Sequence, residues 1–110
     1  MDDREFGAQV EEVPDEVRVR MRGDLDSRAD DTLNAAYGKV VSIGSPRVTL
    51  DFRDVGYINS TGIALVVRLL ADARRDGRGV RAVGLTPHYR EIFRITRLSD
   101  FMDIVEGDAA

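Results

Sequence analysis

The residues with the clearest chemical potential lie in segment 53–62, where Ser60 and Thr61 stand side by side. Apolar residues follow them at helical spacing. This spacing predicts that Ser60 lies in the first turn of a helix, directly after a loop that leaves a strand. Backbone N–H groups at a helix start have no partner within the helix, and the helix dipole is positive there. A phosphate on Ser60 would find these donors, while its charge of about −1.5 to −2 would change the surface offered to a partner.

The hydroxyls of Ser60 and Thr61 also have a purely structural interpretation, because a serine or threonine ahead of an apolar helix is commonly its N-cap. Spacing alone favours this interpretation, and capping does not exclude phosphorylation. A catalytic serine would need a base and an oxyanion hole. The only histidine, His88, is predicted to face solvent at the start of another helix, and no Gly-x-Ser-x-Gly motif surrounds Ser60. We therefore expect no enzymatic activity.

Several aspartates stand near the ends of predicted strands, namely Asp24, Asp26, Asp51 and Asp54. If these carboxylates lie close to Ser60, they and a phosphate on Ser60 would together present a repulsive surface to a partner. They could also gather a divalent cation, but no spacing among them is diagnostic of a metal site. No Gly-rich phosphate-binding loop is present either. We therefore predict no metal and no cofactor.

The bulk composition limits the possible partners. The 110 residues carry a formal charge of −4 with a pI near 4.9, which opposes binding to DNA or to anionic lipid. The chain has no cysteine, no secretory signal pattern and no apolar run of ~20 residues. We expect residues 1–110 to form one soluble cytoplasmic domain, with an ordered core of about 5–106. It should bind no nucleic acid and insert into no membrane.

Alternation of apolar and polar residues predicts several short strands. The clearest case is Val17, Val19 and Met21, which alternate with arginines. The predicted strands lie within residues 6–13, 17–22, 48–52, 80–84 and 104–105. Segment 53–62 is predicted to be a loop.

Helical spacing predicts three helices between these strands. Ser27 is the predicted cap of the first, with Asp30 as a capping-box carboxylate, and Gly44 ends it. The third helix begins at Thr86-Pro87. The second helix should bury a stripe formed by Ile63, Val66, Val67 and Leu70. Strands that alternate with helices in this way indicate an α/β layer fold.

Three segments, in order along the chain, carry a further signal. They are Asp51-Phe52 with Val55 and Ile58-Asn59-Ser60-Thr61-Gly62-Ile63, the earlier turn Gly23-Asp24-Leu25-Asp26-Ser27, and the closing segment 92–98. Together they resemble the STAS-domain anti-sigma factor antagonists, whose signature is an acidic strand end, an apolar residue, Asp-Ser-Ser/Thr-Gly and an apolar helix. The resemblance covers nearly the whole chain. It implies an α/β STAS fold, a mixed four- to five-stranded sheet with helices packed mainly on one face.

The resemblance also implies a function, that of a phosphorylation-controlled anti-sigma factor antagonist. In such proteins an anti-sigma factor with serine kinase activity phosphorylates the serine that corresponds to Ser60, and a serine phosphatase resets it. The unphosphorylated antagonist binds the anti-sigma factor and frees the sigma factor. ATP would then be bound by the kinase partner. The expected partner-binding or switch-neighbouring residues are Asp24, Asp26, Asn59, Thr61, Gly62 and Ile63.

Two residues depart from the family pattern. Asn59 stands where an Asp is usual, and Arg97 stands where a Gly is common. The change at Asn59 removes a carboxylate beside Ser60 and keeps an alternative open. In that alternative the domain is a constitutive accessory or scaffold subunit, associated with a transporter or a signalling assembly, without phosphorylation turnover. The oligomeric state is left open.

Overall fold

A computed structural model describes residues 4–105 of the chain as a five-stranded sheet with three α-helices. Residue 106 of the predicted core lies outside this range. The strands are β1 (Gly7–Val13), β2 (Glu16–Leu25), β3 (Arg47–Ile58), β4 (Gly79–Val83) and β5 (Asp103–Ile104). The helices are α1 (Asp30–Ile43), α2 (Ser60–Arg75) and α3 (Pro87–Ile95). Short 3-10 turns at Ser27–Ala29 and Leu98–Asp100 precede α1 and follow α3.

The sheet is mixed and its strands lie in sequence order from β1 to β5. β1 and β2 form an antiparallel hairpin, whereas β2, β3, β4 and β5 pair in parallel. Because the carboxyl ends of parallel strands meet at one edge of a sheet, the exits of β2 and β3 lie side by side. This edge holds Ser60, the first residue of α2.

One face of the sheet carries the core. The alternating Val17, Val19 and Met21 of β2 are buried there, and all three helices contribute to the same apolar cluster. Phe93 of α3 packs edge-on against Phe52 of β3, with ring centroids 5.7 Å apart. The predicted mixed α/β sheet with helices on one face is therefore confirmed.

The predicted loop at 53–62 was wrong, because β3 continues to Ile58 and only Asn59 separates it from α2. The charged residues and the glycine of this segment are more typical of a loop than of a strand. In the folded chain β3 stays paired with β2 through two register shifts, so that Asp24 lies opposite Tyr57 and Leu25 opposite Ile58. Pairing with a neighbouring strand overrides the weak local preference of the segment.

The predicted start of the first helix was also wrong. Asp26, not Ser27, is the capping residue, and its carboxylate accepts the Arg28 N–H at 2.9 Å. The cap opens the 3-10 turn, and α1 then begins at Asp30 without a side-chain cap of its own.

The buried stripe of α2 differs from the predicted one at one position. Val67 is 46% exposed, whereas Leu65 and Leu69 are buried against the sheet. Val66 and Leu70 are buried as predicted, and Ile63 is half-buried. The inward face therefore centres between Val66 and Leu69, which leaves Val67 on the outer side of the helix.

The face of the sheet opposite the helices holds a buried carboxylate, Asp51, which is 5% exposed. Arg53 binds it with its guanidinium, Nη2 to Oδ2 at 2.8 Å, and with its backbone N–H at 3.0 Å. Gly84 allows this arrangement, since a Cβ there would lie 2.3 Å from Arg53 Cγ. Burial by itself raises the pKa of Asp51, but the hydrogen bonds from Arg53 outweigh it and hold the pKa below its ordinary value.

Substitution of Asp51 by Asn should remove a pH-dependent contribution to the free energy of unfolding. A carboxyl whose folded-state pKa is lowered stabilises the fold above its unfolded value of 3.8, and the stabilisation is lost as pH falls through the folded-state pKa. We expect Asp51→Asn to reduce the free energy of unfolding by about 1–2 kcal/mol at neutral pH. The deficit should shrink below about pH 4 in urea titrations.

Asp100→Asn is the matched control, because Asp100 pairs with Arg97 on the exposed surface. This change should alter stability by less than about 0.5 kcal/mol at either pH. An equal loss in the two variants at neutral pH would contradict the role given to the buried Asp51–Arg53 pair.

Candidate functional site

Ser60 lies at the sheet edge where β2 and β3 end, and it is the first residue of α2. Its side chain is exposed, as is that of Thr61. Because only Asn59 connects the strand to the helix, the position of Ser60 is fixed on both sides by regular structure. The hydroxyl is therefore held at the surface without a mobile loop.

Asn59 is the N-cap of α2. Its backbone is extended, its side-chain Oδ1 accepts the Gly62 N–H at 2.9 Å, and its carbonyl accepts the Ile63 N–H at 2.9 Å. Such a cap stabilises a helix by about 1 kcal/mol. The interpretation of Ser60 or Thr61 as the cap was therefore wrong, and the Ser60 hydroxyl has no capping role.

Gly62 is buried where α2 meets the end of β2. The Leu25 carbonyl accepts the Asn59 N–H at 3.3 Å, and a Cβ on Gly62 would lie only 1.9 Å from the same carbonyl oxygen. Only glycine allows the helix to approach the strand so closely. This contact within the chain accounts for the glycine, and contact of Gly62 with a partner remains a prediction. Ile63 is half-buried against the core.

Two backbone donors remain at the start of α2. The Asn59 and Gly62 N–H groups are used, but within residues 4–105 no acceptor is found for those of Ser60 and Thr61. An anion attached to the Ser60 hydroxyl would lie next to both donors and at the positive end of the helix dipole.

Asp26 is held beside this edge by Arg28. Hydrogen bonds from the Arg28 side chain, followed by the one from its backbone N–H, lower the pKa of Asp26. Asp24 lies opposite Tyr57, and its Oδ1 is 3.9 Å from where a Cβ on Gly56 would stand. Both carboxylates thus occupy the end of β2 beside the exit of β3.

The other two aspartates lie away from the site. Asp51 stands opposite Arg20, seven residues before Ile58, which is roughly 20 Å along an extended strand. Asp54 stands opposite Arg22. Across the described part of the chain, no three His, Cys, Asp or Glu side chains come together as a metal site.

One contact at the site was missed from the sequence. The Tyr89 hydroxyl of α3 accepts the Ile58 N–H at 3.0 Å and ties α3 to the last residue of β3. No sequence signal distinguishes a half-buried tyrosine that binds a strand end from one that only packs. His88 is exposed and contacts the Tyr89 ring, with centroids 5.0 Å apart.

The chain belongs to the STAS domain family, since the family model described as "Mlab, STAS domain" matches residues 8–106. The anti-sigma-B factor antagonist of Staphylococcus aureus strain NCTC 8325 is 26% identical over 89 residues, which are 81% of this chain and 82% of that protein. The resemblance to STAS-domain anti-sigma factor antagonists seen in the sequence is thereby confirmed. No helix within residues 4–105 is long and apolar enough to cross a membrane.

Solved structures share the fold. An anti-sigma factor antagonist from Mycobacterium paratuberculosis matches with a TM-score of 0.78 at 20% identity, covering 93% of this chain and 86% of that one. Unphosphorylated SpoIIAA matches with a TM-score of 0.71 at 18% identity, covering 92% and 89%. The phosphorylated form of SpoIIAA from Bacillus matches with a TM-score of 0.69 at 20% identity, covering 91% and 92%.

Substitution of Gly62 by Ala tests the close contact between α2 and β2. The added Cβ must displace the Leu25 carbonyl or the helix start, so we expect a loss of about 2–4 kcal/mol in the free energy of unfolding. Urea denaturation of the unaltered chain and of the Gly62→Ala variant measures this loss.

Gly38→Ala is the matched control, because Gly38 lies on the exposed side of α1 with no neighbour within 4 Å. That change should stabilise the chain by up to about 1 kcal/mol. Equal effects would contradict the contact.

Proposed function

We propose that this chain is an anti-sigma factor antagonist that acts by phosphorylation-controlled partner switching, with Ser60 as the phosphorylated residue. The proposal rests on the Ser60 hydroxyl, which is exposed at the first position of α2. Asn59 is the N-cap of this helix, so the Ser60 hydroxyl does not cap it. Within residues 4–105 this hydroxyl makes no hydrogen bond that its modification would break. Modification changes only the surface that a partner meets.

The surroundings of Ser60 suit a switch rather than a permanent anion site. The Ser60 and Thr61 N–H groups can donate hydrogen bonds to a phosphate, whereas Asp24 adds negative charge at the same edge and Asp26 stands there paired with Arg28. Phosphorylation contributes a further charge of about −1.5 to −2. A partner surface that fits the unmodified edge would then meet concentrated negative charge and a larger side chain.

The partners follow from this chemistry and from the relatives. An anti-sigma factor with serine kinase activity would bind ATP and phosphorylate Ser60, and a serine phosphatase would remove the phosphate. The chain itself contributes the hydroxyl and is not the enzyme, and the exchange would take place in the cytoplasm. The curated relatives are anti-sigma-B factor antagonists, and a structural neighbour is known in a phosphorylated form. Both support the switch over a constitutive scaffold or transporter subunit.

The replacement of the usual Asp by Asn59 fits the same proposal. The amide oxygen of Asn59 performs the capping for which a carboxylate oxygen would otherwise serve. The neutral side chain also removes one negative charge beside Ser60, so that a phosphate there meets less repulsion. Asn59 therefore keeps the geometry and alters the electrostatics.

Intact mass spectrometry after incubation with a purified serine-kinase anti-sigma factor and Mg-ATP tests the proposal. We expect one added phosphate that maps to Ser60 and is absent from the Ser60→Ala variant. Thr61→Ala is the matched control, since Thr61 is the adjacent exposed hydroxyl, and it should still accept the phosphate. Tight binding to an active kinase without any phosphate, or a phosphate on Thr61, would contradict the assignment.

A further inference from the structure

The outer side of α2 carries an apolar stripe that starts at the proposed switch residue. Ser60, Ala64, Val67 and Ala71 follow one another at intervals of four, three and four residues, which places them on one line of the helix. All four are exposed. The exposed side of a surface helix is usually polar, so the Ser60–Ala64–Val67–Ala71 line, called here the α2 stripe, is an unusual surface.

The α2 stripe leads into a groove between α2 and the segment after α3. Val67, Ala71 and Arg74 line one side, and Leu98 and Phe101 line the other, around a volume of about 280 Å³. Phe101 is 51% exposed and Val67 is 46% exposed, although both are large apolar residues. The groove can therefore accept an apolar side chain of about the size of Leu or Phe.

A cation stands at the rim of this groove. The Arg74 guanidinium lies over the Phe101 ring, 5.3 Å from its centroid. Among residues 4–105 no carboxylate is found within ion-pair distance of Arg74, whereas its neighbour Arg75 is paired with Asp72. The charge of Arg74 is thus available to an acidic group that approaches beside the groove.

We propose that this groove is a second docking point for the anti-sigma factor, which inserts an apolar side chain next to a carboxylate that pairs with Arg74. The inference rests on the proposed function. Ser60 and Val67 are seven residues apart on α2, or about 10 Å, and an interface of ordinary size covers both. Phosphorylation of Ser60 would then control whether the anti-sigma factor binds, while the groove supplies apolar contact area.

The test is a titration of the chain against purified serine-kinase anti-sigma factors of the source organism by isothermal calorimetry. Val67→Asp places a carboxylate in the groove and should weaken binding by about tenfold or more. Ala71→Arg fills the groove and should weaken binding similarly. Val41→Asp is the matched control, because Val41 is 44% exposed on α1 and also lies on a helix surface. It should bind like the unaltered chain.

The outcomes separate the two proposals. Equal affinity of Val67→Asp and Val41→Asp, both folded by circular dichroism, overturns the groove while leaving the Ser60 switch in place. Failure of the unaltered chain to bind any of these kinases overturns both. Sedimentation of the chain alone tests whether a second copy of this chain occupies the groove. A dimer that the Val67→Asp substitution dissociates would assign the groove to that second copy. It would overturn the assignment to the anti-sigma factor.

Discussion

The contact between the start of α2 and the end of β2 is the constraint on which the site depends. The Leu25 carbonyl accepts the Asn59 N–H, and Gly62 packs against the same carbonyl with no room for a side chain. This contact joins a helix to a strand other than the one that precedes it. It fixes the direction in which α2 leaves the sheet, and thereby the direction in which its exposed residues point.

The site depends on that contact and on the different roles of Asn59 and Ser60. Asn59 caps the helix, and the neighbouring Ser60 is exposed, with no hydrogen bond to its hydroxyl found within residues 4–105. Tyr89 holds the strand exit from the other side through the Ile58 N–H. A phosphate would thus be added to a rigid surface. The change that a partner detects is then one of charge and shape at the surface, with the fold preserved.

Strong periodicity made most of the fold predictable, and long-range contacts account for what was missed. The alternation of Val17, Val19 and Met21 and the cap at Thr86 gave correct elements because they act locally. The extension of β3 to Ile58 depends on pairing with β2, which no local pattern records. The role of Ser60 was predicted from the resemblance and stays a prediction, whereas the cap at Asn59 and the exposure of Val67 depend on how α2 packs against the sheet.

In the proposed switch, the charge state of Ser60 decides whether the anti-sigma factor stays bound. Calorimetric titration of a purified serine-kinase anti-sigma factor with unmodified chain and with chain fully phosphorylated at Ser60 measures this directly. We expect phosphorylation to weaken the complex by about tenfold or more, because negative charge accumulates at a desolvated interface. Equal dissociation constants for the two forms would contradict it.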